Sequence, residues 1–218
     1  MARIPVVERI MQANDDVAAA NRRLLDEHGV HAVNIIAAPG AGKTSLILAV
    51  AAALQGRCRV GVIEGDLASD VDAVKVRAAG LPVVQINTGG GCHLDAEQIR
   101  VALLRLPLDE IDLLLIENVG NLICPVDFAL GEHTRLGISS VPEGDDKPYK
   151  YPTVFANIDA LALNKADLLA FLPFDVAEFK RLVFALNPEL SFFPVSSTTG
   201  AGIPALADWL AGLAAPSA

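Results

Sequence analysis

Two short stretches, far apart in the chain, carry residue types that together suit one nucleotide. Gly40-Ala41-Gly42-Lys43-Thr44, followed by Ser45, has the spacing of a phosphate-binding loop. Its glycines let backbone N–H groups curl around phosphate oxygens, and the N-terminus of a following helix adds its dipole. Lys43 is placed to reach the β- and γ-phosphates, and Thr44 to ligate Mg²⁺. Asn164-Lys165-Ala166-Asp167 has the form of a guanine-binding corner. A carboxylate such as Asp167 accepts hydrogen bonds from both N1–H and the 2-amino group of guanine. Adenine offers neither donor there and leaves a buried carboxylate unpaired. The two stretches together point to GTP.

Each motif is short, so its context matters. The strict phosphate-loop pattern asks for Gly where this chain has Ala37. A Gly-rich turn without ligand is the plain alternative. Against it, an apolar strand precedes each motif and a helix follows the loop. Ser196 and Ser197, after the last expected strand, can complete the base pocket. Two acids fall at expected strand ends, where ligands bind in open α/β sheets. Asp66 follows the second strand, and Glu117 closes the apolar run Ile111–Ile116. Acids there can hold Mg²⁺ and orient an attacking water, so Lys43, Asp66 and Glu117 are the candidate catalytic groups. The candidate Mg²⁺ set is Thr44, Asp66, Asp72 and Glu117, although Asp72 also reads as a solvated helix residue. Glu117, at the end of an apolar strand, needs a partner.

A second chemistry lies between these motifs. Gly89-Gly90-Gly91-Cys92-His93 sets a thiol beside an imidazole on a loop, and Cys124-Pro125 follows the strand that ends at Glu117. Thiolate with imidazole suits Zn²⁺ or Ni²⁺. Three ligands undersupply either ion, and the facing copy in a symmetric dimer can furnish the rest. The alternative is that Cys92 and Cys124 are small buried hydrophobes. Cys58 has no partner nearby and reads as structural. His28 and His31 are expected at the surface, and His133 is a minor candidate for the metal region.

The elements that must position these groups alternate. Apolar strands are expected over 31–37, 59–64, 82–86, 111–116, 135–140, 160–163 and 192–195. Helices are expected over 6–27, 43–54, 70–79, 175–186, through Ile99 and Leu103 after a cap at Asp95, and onward from Gly202. This alternation specifies an α/β parallel sheet in one large domain. Val141–Pro152 is the longest irregular stretch and a candidate mobile loop. The net charge of −9 over 218 residues argues against a broad nucleic-acid or anionic-membrane surface. No apolar run approaches the ~18 residues of a membrane span, and no secretory leader pattern is present. With three cysteines, these features favour a cytoplasmic protein.

At Ala38–Thr44, Glu64-Gly65-Asp66, Asn87–Ala96, Glu117–Pro125, Glu143–Pro148 and Asn164–Asp167, the chain resembles the HypB family. Those proteins are the nickel-incorporation GTPases that mature nickel–iron hydrogenase. The Cys92-His93 and Glu117-Asn118-Val119-Gly120 blocks are the most specific of these. The resemblance implies a doubly wound, mainly parallel sheet flanked by helices, a P-loop NTPase of the SIMIBI type. It implies one GTP-binding domain over residues 1–218 with an N-terminal helix at about 6–28. It also implies a slow GTPase that binds GTP/GDP and Mg²⁺ and dimerises with GTP. Ni²⁺ or Zn²⁺ is then held at the dimer interface by Cys92, His93 and Cys124. The implied partners are a zinc-containing nickel chaperone and the hydrogenase large-subunit precursor. Met1–Val30 contains no cysteine and only His28, so the nickel-binding motif or histidine tract of other members does not carry over. Alternatives are a urease-type accessory GTPase, expected to show Cys-Pro-His, and a non-catalytic metal-binding scaffold stabilised by nucleotide. A small-metabolite kinase fits the guanine corner poorly.

Overall fold

The computed structural model describes residues 6–66 and 71–214. The first half runs α1 (Val6–Glu27), β1 (His31–Ala37), α2 (Lys43–Ala53), β2 (Val60–Asp66), α3 (Val71–Ala78), β3 (Val83–Asn87), α4 (Ala96–Leu103) and β4 (Leu113–Glu117). The second half runs α5 (Cys124–Asp127), β5 (Thr134–Ser140), α6 (Lys147–Lys150), α7 (Pro152–Ala156), β6 (Ala160–Asn164), α8 (Val176–Leu186), β7 (Ser191–Pro194) and α9 (Ile203–Ala214). The strands form one seven-stranded sheet in the order β3-β2-β4-β1-β5-β6-β7. Every pairing is parallel.

Parallel strands need crossover helices, and those helices cover both faces. Side-chain alternation sorts the core accordingly. Val33, Ile35, Leu113, Leu115, Leu136 and Ala162 face α2 and α9. Leu114 and Ile116 face the other way, onto Leu25 of α1 and Ile99 and Leu103 of α4. Leu161 and Leu163 share that second face with Phe155 of α7 and Phe179 and Val183 of α8. Burying each of the larger aliphatic and aromatic side chains among these stabilises the fold by about 1.5–3 kcal/mol. Local signals agree with this packing. Asp95 caps α4 in a reciprocal box with Gln98, and the Asp175 carboxylate accepts from Glu178 N at 2.9 Å to start α8. None of the helices among the described residues is long and apolar enough to cross a membrane.

Three expectations are corrected. Val141–Pro152 is not irregular: a 3₁₀ turn over Val141–Glu143 leads to α6, and α7 begins at Pro152. Ser140 and Glu143 form a capping box, and prolines in the first turns start short helices where no amide donor is needed. His31 is half-buried, with Nε2 2.8 Å from Thr134 Oγ1 and its ring 4.7 Å from that of His133. Burial pushes its pKa down to about 4. His133 lies just before β5, at the N-terminal end of the strands, whereas Cys92 follows the C-terminal end of β3. Its Nδ1 accepts from Ala32 N at 3.0 Å and its Nε2 lies 2.8 Å from Asp26. The start of the third helix at Asp70 falls outside the described residues.

Helix α1 is seated by one polar anchor and one close approach. Asn21, fully buried, donates to Ala96 O at 2.8 Å and Leu130 O at 2.9 Å. Gly131 has φ 97°, and a Cβ there would come within 2.7 Å of Ala18 O and of Asn21 Cβ. Gly131→Ala therefore forces α1 off its seat. The expected loss is about 2–4 kcal/mol in urea unfolding, combining left-handed strain with overpacking; a loss below about 0.5 kcal/mol would contradict this packing.

Candidate functional site

The functional groups collect where the parallel strands end, beside β1, from which the chain order departs in both directions. Between β1 and α2 the loop turns on Gly40 (φ 78°) and Gly42 (φ 92°), conformations that side-chain-bearing residues rarely adopt. Gly42 is also required sterically, because a Cβ would lie 2.6 Å from Asn164 Nδ2. A cavity of about 380 Å³ opens here, lined by Gly42, Lys43, Thr44, Ser45, Asp72 and Glu117 among others. Helix α2 carries no acid of its own in its first turn, where the helix dipole favours an anion.

Asn164 joins the two motifs. Its Nδ2 donates to Ala41 O at 3.0 Å, and its Oδ1 accepts from Lys165 N at 2.8 Å and Ser197 Oγ at 3.1 Å. Lys165 adopts φ 57°, and its ammonium donates to Gly40 O at 2.7 Å. The base corner and the phosphate loop thus form one braced unit. Asp167 is exposed at the corner's rim. Ser196 is buried, with Oγ accepting from Thr199 N at 3.1 Å, so its hydroxyl shapes the loop.

Among the acids, Glu117 is 3% exposed and meets the phosphate loop directly. Thr44 Oγ1 donates to its Oε1 at 3.0 Å, and Lys43 Nζ lies 3.8 Å from the same oxygen. Asp72 faces this group from α3 while paired with Lys75 at 2.6 Å. Asp66 ends β2 beside Asn87, half-buried, and is not one of the clustered acids. The third member is instead Glu64, which sequence reasoning missed: oxygens of Glu64, Asp72 and Glu117 lie within 4.8 Å of one another. The signal was a carboxylate interrupting the apolar run Val60–Ile63. Glu64 is 1% exposed, and Oε2 of Glu64 and of Glu117 have no hydrogen-bond partner. Orphaned buried carboxylate oxygens beside a threonine hydroxyl fit a hard divalent cation such as Mg²⁺.

Cys92, His93 and Cys124 also converge, with their ligand atoms within 4.8 Å of one another. Cys92 is exposed, Cys124 half-buried and both are free thiols, unlike buried core cysteines. Burial lowers the pKa of His93, which stacks on Phe128 at 3.9 Å, and thereby favours the neutral imidazole that binds metals. The neighbouring Cys124 thiol raises that of Cys92. Two thiols and an imidazole fit Zn²⁺ or Ni²⁺.

A buried polar chain underlies the thiol loops. Asn118, next to Glu117, accepts from Leu94 N at 3.1 Å and donates to Asn34 Oδ1 at 3.1 Å. Asn34 donates to Glu132 at 3.3 Å, which accepts from Arg135 Nε at 2.7 Å, and Arg135 Nη1 reaches Val126 O at 3.2 Å in α5. The loop of Cys92 and the helix of Cys124 are thus tied beneath the thiol–imidazole cluster. Sequence inspection singled out none of these four residues as site residues.

These features define a P-loop nucleotide-binding protein with an adjoining thiol–imidazole cluster. The family model described as CobW/HypB/UreG, nucleotide-binding domain, matches residues 31–194. Hydrogenase maturation factor HypB of Rhizobium leguminosarum bv. viciae is 44% identical over 207 residues, covering 95% of this chain and 69% of the relative. The crystal structure of HypB from Helicobacter pylori in complex with nickel superposes with a TM-score of 0.89 at 36% identity, covering 93% of this chain and 95% of that one. HypB from Archaeoglobus fulgidus gives a TM-score of 0.87 at 40% identity, covering 94% of this chain and 100% of that one. The chain belongs to the HypB family of hydrogenase maturation factors.

The two buried acids make a pH dependence. Burial, reinforced by the Glu117 charge, pushes the Glu64 carboxyl up to about 8. Burial likewise pushes Glu117 up to about 7, against the pull of Lys43 and Thr44. A carboxyl raised in the folded state holds its proton more tightly there than when unfolded. Its favourable contribution is therefore present in acid and lost as pH climbs from the unfolded value through the folded one. Without cation or nucleotide, wild type should lose stability relative to Glu64→Gln between about pH 5 and pH 8, at up to about 1.4 kcal/mol per unit. Urea midpoints across that range measure it, and a gap that stays constant with pH rejects the burial argument.

Proposed function

We propose that this protein is a GTP-hydrolysing nickel metallochaperone for maturation of nickel–iron hydrogenase, in which nucleotide-dependent dimerisation gates metal transfer. One observation carries the proposal. Glu117 and Asn118 are adjacent at the end of β4, yet one meets the phosphate loop and the other holds the thiol loop. A nucleotide that alters the first contact therefore pulls on the second. The nickel-bound Helicobacter pylori relative supports nickel as cargo.

In this mechanism the amides of the Gly40–Thr44 loop and Lys43 bind the β- and γ-phosphates. Mg²⁺, held by Thr44 and the facing acids, would supply charge neutralisation there. Asp167 selects guanine, while Asn164 and Lys165 brace the loop as already seen in their contacts to Ala41 and Gly40. Glu117 and Asp66 order the attacking water, and departure of the γ-phosphate releases the loops it held. Cys92, His93 and Cys124 supply three donors, and a second copy across a symmetric interface completes the coordination. Residues 1–218 act as a single GTP-binding domain in the cytoplasm, with a zinc-containing nickel chaperone and the hydrogenase large-subunit precursor as partners. A urease-type function fits less well, because Cys92-His93 and the distant Cys124-Pro125-Val126 replace the Cys-Pro-His expected there.

Phosphate release from GTP should fall about 100-fold or more in Lys43→Ala. Asp167→Asn should shift preference from GTP to xanthosine triphosphate, whose 2-oxo group accepts from the new amide. Retained hydrolysis in the first variant, or retained GTP preference in the second, removes the corresponding role. For the coupling, Ni²⁺ or Zn²⁺ titration followed by sedimentation should show tighter metal binding and more dimer with a GTP analogue than with GDP. Cys92→Ala should abolish the metal response and leave nucleotide affinity unchanged. Identical metal affinity and dimer fraction in all nucleotide states would end the gating idea.

A further inference from the structure

Glu64 belongs to the acid cluster but takes no step in the phosphoryl transfer above, and it is buried beside a second carboxylate. Its strand position is in register with Glu117 of β4. On adjacent parallel strands such partners stand about 4.8 Å apart and point to the same face. The preceding residues of β2 on that face are Val60 and Val62, both in the main core. An ordinary core would continue the run with another aliphatic side chain. The chain instead carries a carboxylate that is 1% exposed and aimed at a second buried carboxylate, each with an orphaned Oε2.

The surrounding cations do not balance this charge. Lys43 reaches Glu117 at 3.8 Å, and Lys75 is engaged by Asp72 at 2.6 Å on the exposed side. A buried like-charged pair is destabilising unless something bridges it. A hard divalent cation does so, because it takes several oxygen ligands at once and prefers carboxylates. Glu64, Asp72 and Glu117 already hold their oxygens within 4.8 Å of one another, with the Thr44 hydroxyl on Glu117.

We propose that Glu64 is a ligand, direct or across one water, of the divalent cation that accompanies the nucleotide, making this a three-carboxylate site with Asp72 and Glu117. The inference rests on the nucleotide-site assignment and deepens it. Three protein carboxylates supply the negative charge that departure of the γ-phosphate takes away. The cation is therefore retained with GDP, and its retention depends on Glu64.

The test uses Mn²⁺ as a paramagnetic stand-in for Mg²⁺, with free Mn²⁺ measured by electron paramagnetic resonance on the full chain saturated with GDP. Glu64→Gln keeps the shape and removes the charge. It should raise the Mn²⁺ dissociation constant tenfold or more, while GDP affinity in chelator stays within twofold of wild type. The variant should melt no lower than wild type without cation, since a buried repulsion has been removed. Glu64→Asp should restore part of the Mn²⁺ affinity. If Glu64→Gln binds Mn²⁺ within twofold of wild type, the ligand role is overturned and the nucleotide assignment stands. If the variant loses GDP and thermal stability together with Mn²⁺, Glu64 is structural and the proposal also fails. Failure of wild type itself to bind GDP would overturn both.

Discussion

The register of β4 between β1 and β2 is the constraint from which the site follows. It pairs Glu64 with Glu117 and Ile35 with Glu117, fixing which side chains end together at the sheet's edge. Strand alternation then sends Glu117 to the face of the phosphate loop, and Asn118 to the opposite face, where it bonds Asn34. A slip of one residue would exchange the two. The acid would then face Leu25, Ile99 and Leu103, and the amide Lys43. Continuous apolar runs on both faces hold that register, because slippage would bury charge in the core.

The same alternation makes one short strand the hinge between two chemistries. Toward α2, its end meets a phosphate loop whose conformation is already braced by Asn164 and Lys165. Toward α4, it meets a buried amide–carboxylate–guanidinium chain ending at α5, the helix of Cys124. Such chains are rigid when every member is satisfied. Cys92, exposed on its loop, and Cys124, half-buried at the start of α5, thus stand on segments whose undersides are fixed. This suits a site that takes up and gives away an ion better than one that encloses it.

Much of this was legible in the chain. Seven apolar runs gave the seven strands, with bounds moving by one or two residues where fraying ends carry no signal, while the short helices α5, α6 and α7 between the later runs were not expected. Asp95 and Asp175 announced their helices because capping is local. The Val141–Pro152 stretch misled for the converse reason: its prolines mark breaks in long helices but begin the short ones found there. His31 and His133 were misplaced because their partners, Thr134 and Asp26, come from other elements.

What the sequence by itself determined was the donor inventory. Gly42, Lys43 and Thr44 as candidates for phosphate, Asp167 for a base, and the adjacent Cys92-His93 pair for a soft metal stand out because local spacing carries that chemistry, whereas the fold brings Cys124 to the pair. Only the tertiary structure decided that Glu64 joins Asp72 and Glu117. It alone decided that Asn164 braces the phosphate loop, and that Asn34, Asn118, Glu132 and Arg135 support the thiol loops. Those contacts depend on strand order, and strand order is set by how distant apolar faces pack. A linear pattern records which faces are apolar and leaves open which of them meet.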